Sequence, residues 1–210
     1  MRIDYLPDDG TGRAAVVAVP EPGDSAPPVP VLLLDSVPAT HSPDRAAAAG
    51  ALLFADHAAE CISFGSPISA ELAEAIESST RLRVVSSTSR SRRPQPETVK
   101  DQPPAVTTLT VSLTGVVPAV TPAVDHTRIG LLPGERFQGA LYGVKEMLMG
   151  SNAWYLATSE DPATVLHAVG FLYAHDHLAR EITAELGDGT AGQVAPATLR
   201  LASAIGLAVS

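Results

Sequence analysis

The chain of 210 residues carries 14 Lys and Arg against 23 Asp and Glu, a formal net charge of −9, which excludes a protein that coats nucleic acid through a basic surface. Hydrophobic residues make up 45% of it and aromatic residues only 4%, so a core has to be assembled from Ala, Val, Leu and Ile. The single cysteine, Cys61, excludes an internal disulfide and a cysteine-rich metal site. With an opening, MRIDYLPDDG, that has no apolar leader, it points to a reducing cytoplasm, and no apolar run is long enough to cross a bilayer.

Residues 2–19 read as two strands joined by the glycine-rich turn Pro7-Asp-Asp-Gly-Thr-Gly12, a hairpin at a sheet edge. PVPVLLLD is a continuous apolar run ending at Asp35, the pattern of a strand covered on both faces. A helix follows, with Ser42 as N-cap, Pro43 at its first position and Asp44 in its first turn. AECISF is a second such strand, GSPIS a turn, and AELAEAIES a helix capped by Ser66. LRVVSS is a third strand. Three strands alternating with two helices predict right-handed crossovers and a parallel sheet.

Six cations, Arg81, Arg83, Arg90, Arg92, Arg93 and Lys100, then gather with Glu97 as the sole acid between the first and last of them. SRSRRPQPETVKDQPP, which overlaps the second part of this stretch and runs past it to Pro104, reads as an exposed connector. VTTLTVSL alternates with period two and suits a half-exposed strand near an edge. In ERFQGALYGVKEMLM, Phe137, Leu141, Val144 and Leu148 share one face at helical spacing, and Gly139 and Gly143 beside it would let another backbone approach, within the subunit or across a homo-oligomer. NAWYLAT is a strand candidate. SEDPATVLHAVGFLYAHDHLAREITAELG is the longest helical pattern, capped by Ser159 or Asp161 and closed by Gly187, and APATLRLASAIGLAV is a further helix.

The resulting expectation is an α/β protein with a doubly wound, mostly parallel sheet flanked by helices, an N-terminal hairpin and a helix-rich C-terminal part. It divides into a sheet core at 1–90, a basic Pro-rich connector at 91–104, and a strand plus helices at 105–210 packing on the same core, one domain overall.

Ligands of open parallel sheets sit beyond the carboxyl ends of the strands. Here those ends offer Asp35, Ser36, Ser66, Ser87 and Arg90, which would suit a phosphate, a carboxylate or a sugar. Asp35 would be polar anchor or base, the serines hydrogen-bond donors, and Arg90 the anion partner; the competing reading is that Asp and Ser there only cap helices. Metal candidates are poorer. His175 and His177 point about 200° apart on a helix, so Asp176 with Arg180 and His177 with Glu181 read as surface pairs. His41, Asp44, Asp125 and His126 lack the carboxylates that a two-metal centre needs. Cys61 with His57 could be drawn as a nucleophile dyad, but a lone buried cysteine is ordinary packing. No Walker loop, dinucleotide fingerprint or Gly-x-Ser-x-Gly elbow is present.

Two functions follow. One is a protein, enzyme or not, that binds or processes a small anionic metabolite at the strand ends, with no nucleic-acid or membrane partner. The other is a noncatalytic homo-oligomeric assembly protein. The sequence names neither a substrate nor a cofactor.

Overall fold

The structure, a computed structural model, describes residues 1–85, 88–89, 107–113, 126–186 and 193–210. In chain order the elements are β1 (Arg2–Asp8), β2 (Arg13–Val19), β3 (Val31–Leu34), α1 (Pro43–Phe54), β4 (Cys61–Phe64), β5 (Ile68–Ser69), α2 (Ala70–Thr80), β6 (Arg83–Val84) and β7 (Thr88–Ser89). There follow β8 (Thr107–Leu113), β9 (His126–Pro133), β10 (Ala140–Tyr142), β11 (Glu146–Ser151), α3 (Ala153–Ser159), α4 (Pro162–Tyr173), β12 (Ala179–Glu185), α5 (Pro196–Ala204) and β13 (Ala208–Val209). One large, mostly parallel sheet runs β13-β12-β8-β9-β11-β3-β2-β1-β4-β6, with β10 on the β3 side of β11; β5 and β7 pair separately. The fold is therefore mixed α/β, with a central sheet flanked by helices. Among the described residues no helix is long and apolar enough to cross a membrane.

Both halves of the chain repeat one plan. Three strands, a helix, a strand, a helix and a last strand are laid out so that the first strand is central: β3-β2-β1-β4-β6 in one half and β11-β9-β8-β12-β13 in the other. Corresponding helices meet, α1 on α4 and α2 on α5. The halves differ in the second strand, since β2 is antiparallel to its neighbours whereas β9 is parallel to both of its own. They join antiparallel through β3 and β11, so their carboxyl ends lie at opposite ends of the sheet.

A continuous apolar face links them. Ile3, Val16, Leu32, Leu34, Met149, Ile129, Val111 and Ile182 are all buried, and strand register puts them on one side. α1 lies on this side by the smallness of its residues: Ala46 to Ala49 are buried, and a Cβ on Gly50 would collide with the Ile3 side chain. Gly170 of α4 meets Ile182 in the same way. Each glycine costs roughly 1 kcal/mol of helix propensity, which the close contact offsets.

The seam between β3 and β11 has one backbone register pair, Leu34 with Ser151. Side chains extend it. Asn152 accepts from the Leu33 N–H through Oδ1 at 2.7 Å and donates through Nδ2 to the Val31 carbonyl at 2.8 Å, as a strand residue would. Ser151 Oγ donates to the Leu33 carbonyl at 2.8 Å, and Asp35 N–H donates to the Gly150 carbonyl at 2.9 Å.

Several sequence expectations are corrected. ERFQGALYGVKEMLM is no helix but the hairpin β10–β11. Gly139 takes φ +95°, Gly143 donates to the Glu146 carbonyl at the turn, and Leu141 and Val144 face solvent. The two glycines mark bends, and an oligomer contact through a Gly139–Gly143 helix has no helix to use. NAWYLAT forms α3 in place of a strand, with Trp154 Nε1 donating to the Leu131 carbonyl at 3.0 Å. The long C-terminal helix stops at Tyr173, because AREITAE alternates buried Ala179, Ile182 and Ala184 with exposed or half-buried residues and joins the sheet as β12. The expected pairs of Asp176 with Arg180 and His177 with Glu181 therefore lose their helix. β8 is a central, buried strand and not an edge: its hydroxyl-bearing face is hemmed in by β9 and β12, where Thr108 donates to Glu181. Ser69, not Ser66, caps α2 by accepting from Leu72 N–H.

Asn152→Ala is expected to lower the unfolding free energy by about 2 kcal/mol, the scale of two lost bonds that leave β3 backbone groups unpaired; a urea titration matching the parent chain would contradict the seam. His167, 1% exposed on α4, has its pKa pushed below the ordinary 6.5 by burial. It is neutral when folded and binds a proton more readily when unfolded, so its contribution is complete above pH 6.5 and is lost as the pH falls below that value. Urea unfolding across this window should show stability declining with acid, and His167→Leu should flatten the decline.

Candidate functional site

The sequence-derived residues separate. Asp35, just past β3, accepts from Arg13 Nε at 2.8 Å through Oδ1 and from the Gly139 N–H at 3.0 Å through Oδ2. Ser36 is 3% exposed; its hydroxyl shares a 2.7 Å hydrogen bond with Tyr142 OH, and its carbonyl accepts from Tyr173 OH at 2.8 Å. Both residues fasten β3 to the second half. Ser66 follows β4, three strand spacings or about 14 Å across the sheet. Ser87 and Arg90 lie outside the described residues.

A different corner gathers chemistry at the same end of the sheet. β1 brings Tyr5 to the first turn of α1, which starts where the sequence says it should: Ser42 is extended and accepts from Arg45 N–H, and Pro43 opens the helix. Asp44 accepts from the Ser69 N–H at 2.8 Å, tying the starts of α1 and α2 together. The loop ahead of α1 is gripped from the other half of the molecule. Asp176 Oδ2 accepts from Ala39 N–H at 2.6 Å and Oδ1 from Thr40 N–H at 2.9 Å. Asp176 is delivered by the turn between α4 and β12, where Leu178 takes φ +51°, an uncommon conformation for a non-glycine residue.

With the loop fixed, the exposed His41 ring lies flat on Tyr5, centroids 4.9 Å apart at 7°. Beneath the pair is a cavity of about 20 Å³, the scale of one water molecule, lined in part by Ile3, Tyr5, Phe64, Gly65 and Ser66. A second, tighter recess that also borders His41 is lined in part by Ser42, Arg45 and Leu172. Arg45 Nη1 is buried with no hydrogen-bond partner. Burial lowers the guanidinium pKa, and the nearby charge of Asp176 acts the other way. Burial, with the charges of Asp176 and Asp9, pushes the Tyr5 phenol up to about 12. The corner thus presents a half-buried cation, a neutral phenol and an exposed imidazole around a small void.

Among the described residues no set of three His, Cys, Asp or Glu side chains is arranged to hold a metal. His41 is stacked, Asp44 is used by α2, and His126 is exposed on β9. Cys61 and His57 form no dyad: the two ring nitrogens of His57 face Ser25 and Glu160. Compared with protein-family models, curated proteins and solved structures, the chain matches none.

The sequence pointed to the cap and first turn of α1 but not to Tyr5, and it read Asp176 as a surface partner of Arg180; both reach the corner only through tertiary packing. Asp176→Ala should release the loop: amide exchange at Ala39 and Thr40 is expected to accelerate, and stability to fall by about 2 kcal/mol, as befits two charge-assisted bonds. Unchanged protection of those two amides would show that the carboxylate does not hold them.

Proposed function

We propose that this protein binds a small anionic metabolite, phosphorylated or carboxylated, at the carboxyl ends of β1 and β4, in the corner formed by Tyr5, His41, Arg45 and Ser66. The observation that carries the reading is the buried Arg45 Nη1 without an acceptor. A buried guanidinium N–H left unpaired is costly, and Asp176, the carboxylate whose charge acts on Arg45, already spends both oxygens on backbone N–H groups. An anion beside Arg45 would supply the acceptor. The N–H groups opening α1 favour negative charge at the same place. Because the void is small, the reading requires the exposed His41 ring to swing off Tyr5 when a ligand enters. The frame it assumes is the doubly wound sheet with an N-terminal hairpin. The antiparallel β1–β2 register supports the hairpin, and the close packing of Gly50 of α1 on Ile3 and of Gly170 of α4 on Ile182 supports the helical cover of the sheet.

A second reading, assembly with another copy of this chain, is favoured by one feature. Leu141, Tyr142 and Val144 are all exposed on the β10–β11 hairpin, Val144 completely, apolar surface of the kind that contacts between copies cover. Light scattering at micromolar concentration, with Val144→Glu as comparison, distinguishes a dimer that the variant dissolves from a monomer.

For the first reading the measurement is thermal unfolding with inorganic phosphate, pyrophosphate and citrate at millimolar concentration. At least one should raise Tm by about 3 °C or more, the shift expected at concentrations well above Kd, and Arg45→Gln should abolish the rise. No shift with any of the three, or a shift that survives Arg45→Gln, would overturn it.

A further inference from the structure

At the opposite end of α1 three side chains from distant parts of the chain line up. Ser25 Oγ lies 3.3 Å from His57 Nδ1, and His57 Nε2 lies 3.3 Å from Glu160 Oε1. We propose that Ser25, His57 and Glu160 form a nucleophile relay that cleaves small activated esters through an acyl-serine, an activity separate from anion binding at Arg45.

The relay is held by elements that fix each member. Ser25 sits in the β2–β3 connection, Gly23-Asp24-Ser25. Asp24 accepts from Ala59 N–H at 2.9 Å and Glu21 N–H at 2.8 Å and pairs with the Met1 ammonium at 2.6 Å. Ser25 N–H donates to the His57 carbonyl at 2.9 Å, so the backbone that leads into the hydroxyl is anchored. His57 ends a single 3-10 turn, Ala55–His57, that continues α1, and Glu160 closes α3 with its N–H on the Leu156 carbonyl. The side chains of His57 and Glu160 are 19% and 24% exposed, whereas Ser25 is exposed. The base is shielded and the nucleophile is open to a substrate.

The chemistry follows from which nitrogen faces which group. Glu160 accepts the proton on Nε2, which leaves the Nδ1 lone pair toward Ser25; the usual arrangement has the ring turned the other way, but the partner of one nitrogen sets the tautomer in either case. Ser25 Oγ attacks the ester carbonyl carbon, forming the Oγ–C bond, as its proton passes to Nδ1. The imidazolium then lies between the Glu160 carboxylate and the carbonyl end of α1, both of which favour positive charge. Collapse of the tetrahedral intermediate breaks the bond to the leaving alcohol, which takes the Nδ1 proton. Water attacks the acyl-serine by the same proton route and releases a carboxylic acid. In the resting state the Ser25 hydroxyl also reaches the His57 carbonyl at 3.2 Å, and distances of 3.3 Å are within the looseness of unliganded relays. Glu160 acts through His57 and is a positioning residue.

The test uses the full chain, a fluorophosphonate probe and 4-nitrophenyl acetate. Intact mass and peptide mapping should find one adduct, on Ser25, and hydrolysis above buffer should fall at least ~100-fold in Ser25→Ala and in His57→Gln, the usual worth of an activated nucleophile and its base. Glu160→Gln should lower kcat about tenfold with KM unchanged, and Glu160→Asp should restore part of it, a pattern that a merely structural contact would not give. Ser25→Ala removes only an exposed hydroxyl and decides the matter if His57→Gln fails to fold. Absence of a Ser25 adduct, or hydrolysis that survives Ser25→Ala, would overturn the relay whatever the outcome of anion binding at Arg45.

Discussion

The carboxamide of Asn152 takes the place of a missing strand. β3 is four residues long and has one backbone register pair with β11, yet the Leu33 N–H and the Val31 carbonyl both find partners on this one side chain. Backbone polar groups inside a sheet cannot be left unpaired without a cost comparable to a lost hydrogen bond, so Asn152, Ser151 and Asp35 together turn two half-sheets into one. The joined sheet then offers one continuous apolar face on which α1 and α4 can meet.

That meeting is what both proposed sites share. α1 has 12 residues and so separates its two ends by about 18 Å. At its start Asp176, in the turn after α4, holds the loop that carries His41; just past its end Glu160, between α3 and α4, holds the ring of His57. In each corner the first half of the chain supplies the groups that would touch a ligand or substrate, and the second half supplies a carboxylate that orients them. Had the halves folded apart, Tyr5 and His41 or Ser25 and His57 would be near neighbours without a fixed geometry.

Part of this was legible from residues alone. Ser42, Pro43 and Asp44 announce the start of α1, and PVPVLLLD, CISF and LRVVSS each contain a strand, because cap chemistry and continuous apolar runs are local signals. The strands β3, β4 and β6 also run in one direction, but the β1–β2 pair lies between the first two, and nothing local encodes that. ERFQGALYGVKEMLM fits a helical spacing by coincidence: Leu141 and Val144 are exposed turn-side residues of a hairpin. AREITAE hides its period of two behind the longer apolar pattern of α4. Ser25, His57 and Glu160 share no motif spacing, so only the joining of the halves shows them as a set.

Native-state hydrogen exchange tests the seam most directly. If the halves form one cooperative unit, the amides of Leu33 and Asp35 should exchange with the same free energy, and the same denaturant dependence, as the Ala15 and Val17 amides, which alternate with Ala18 and so face β1 in the hairpin ladder. Exchange of Leu33 and Asp35 through a small opening that leaves the hairpin amides protected would show two independently breathing halves, and would contradict the account on which both sites rest.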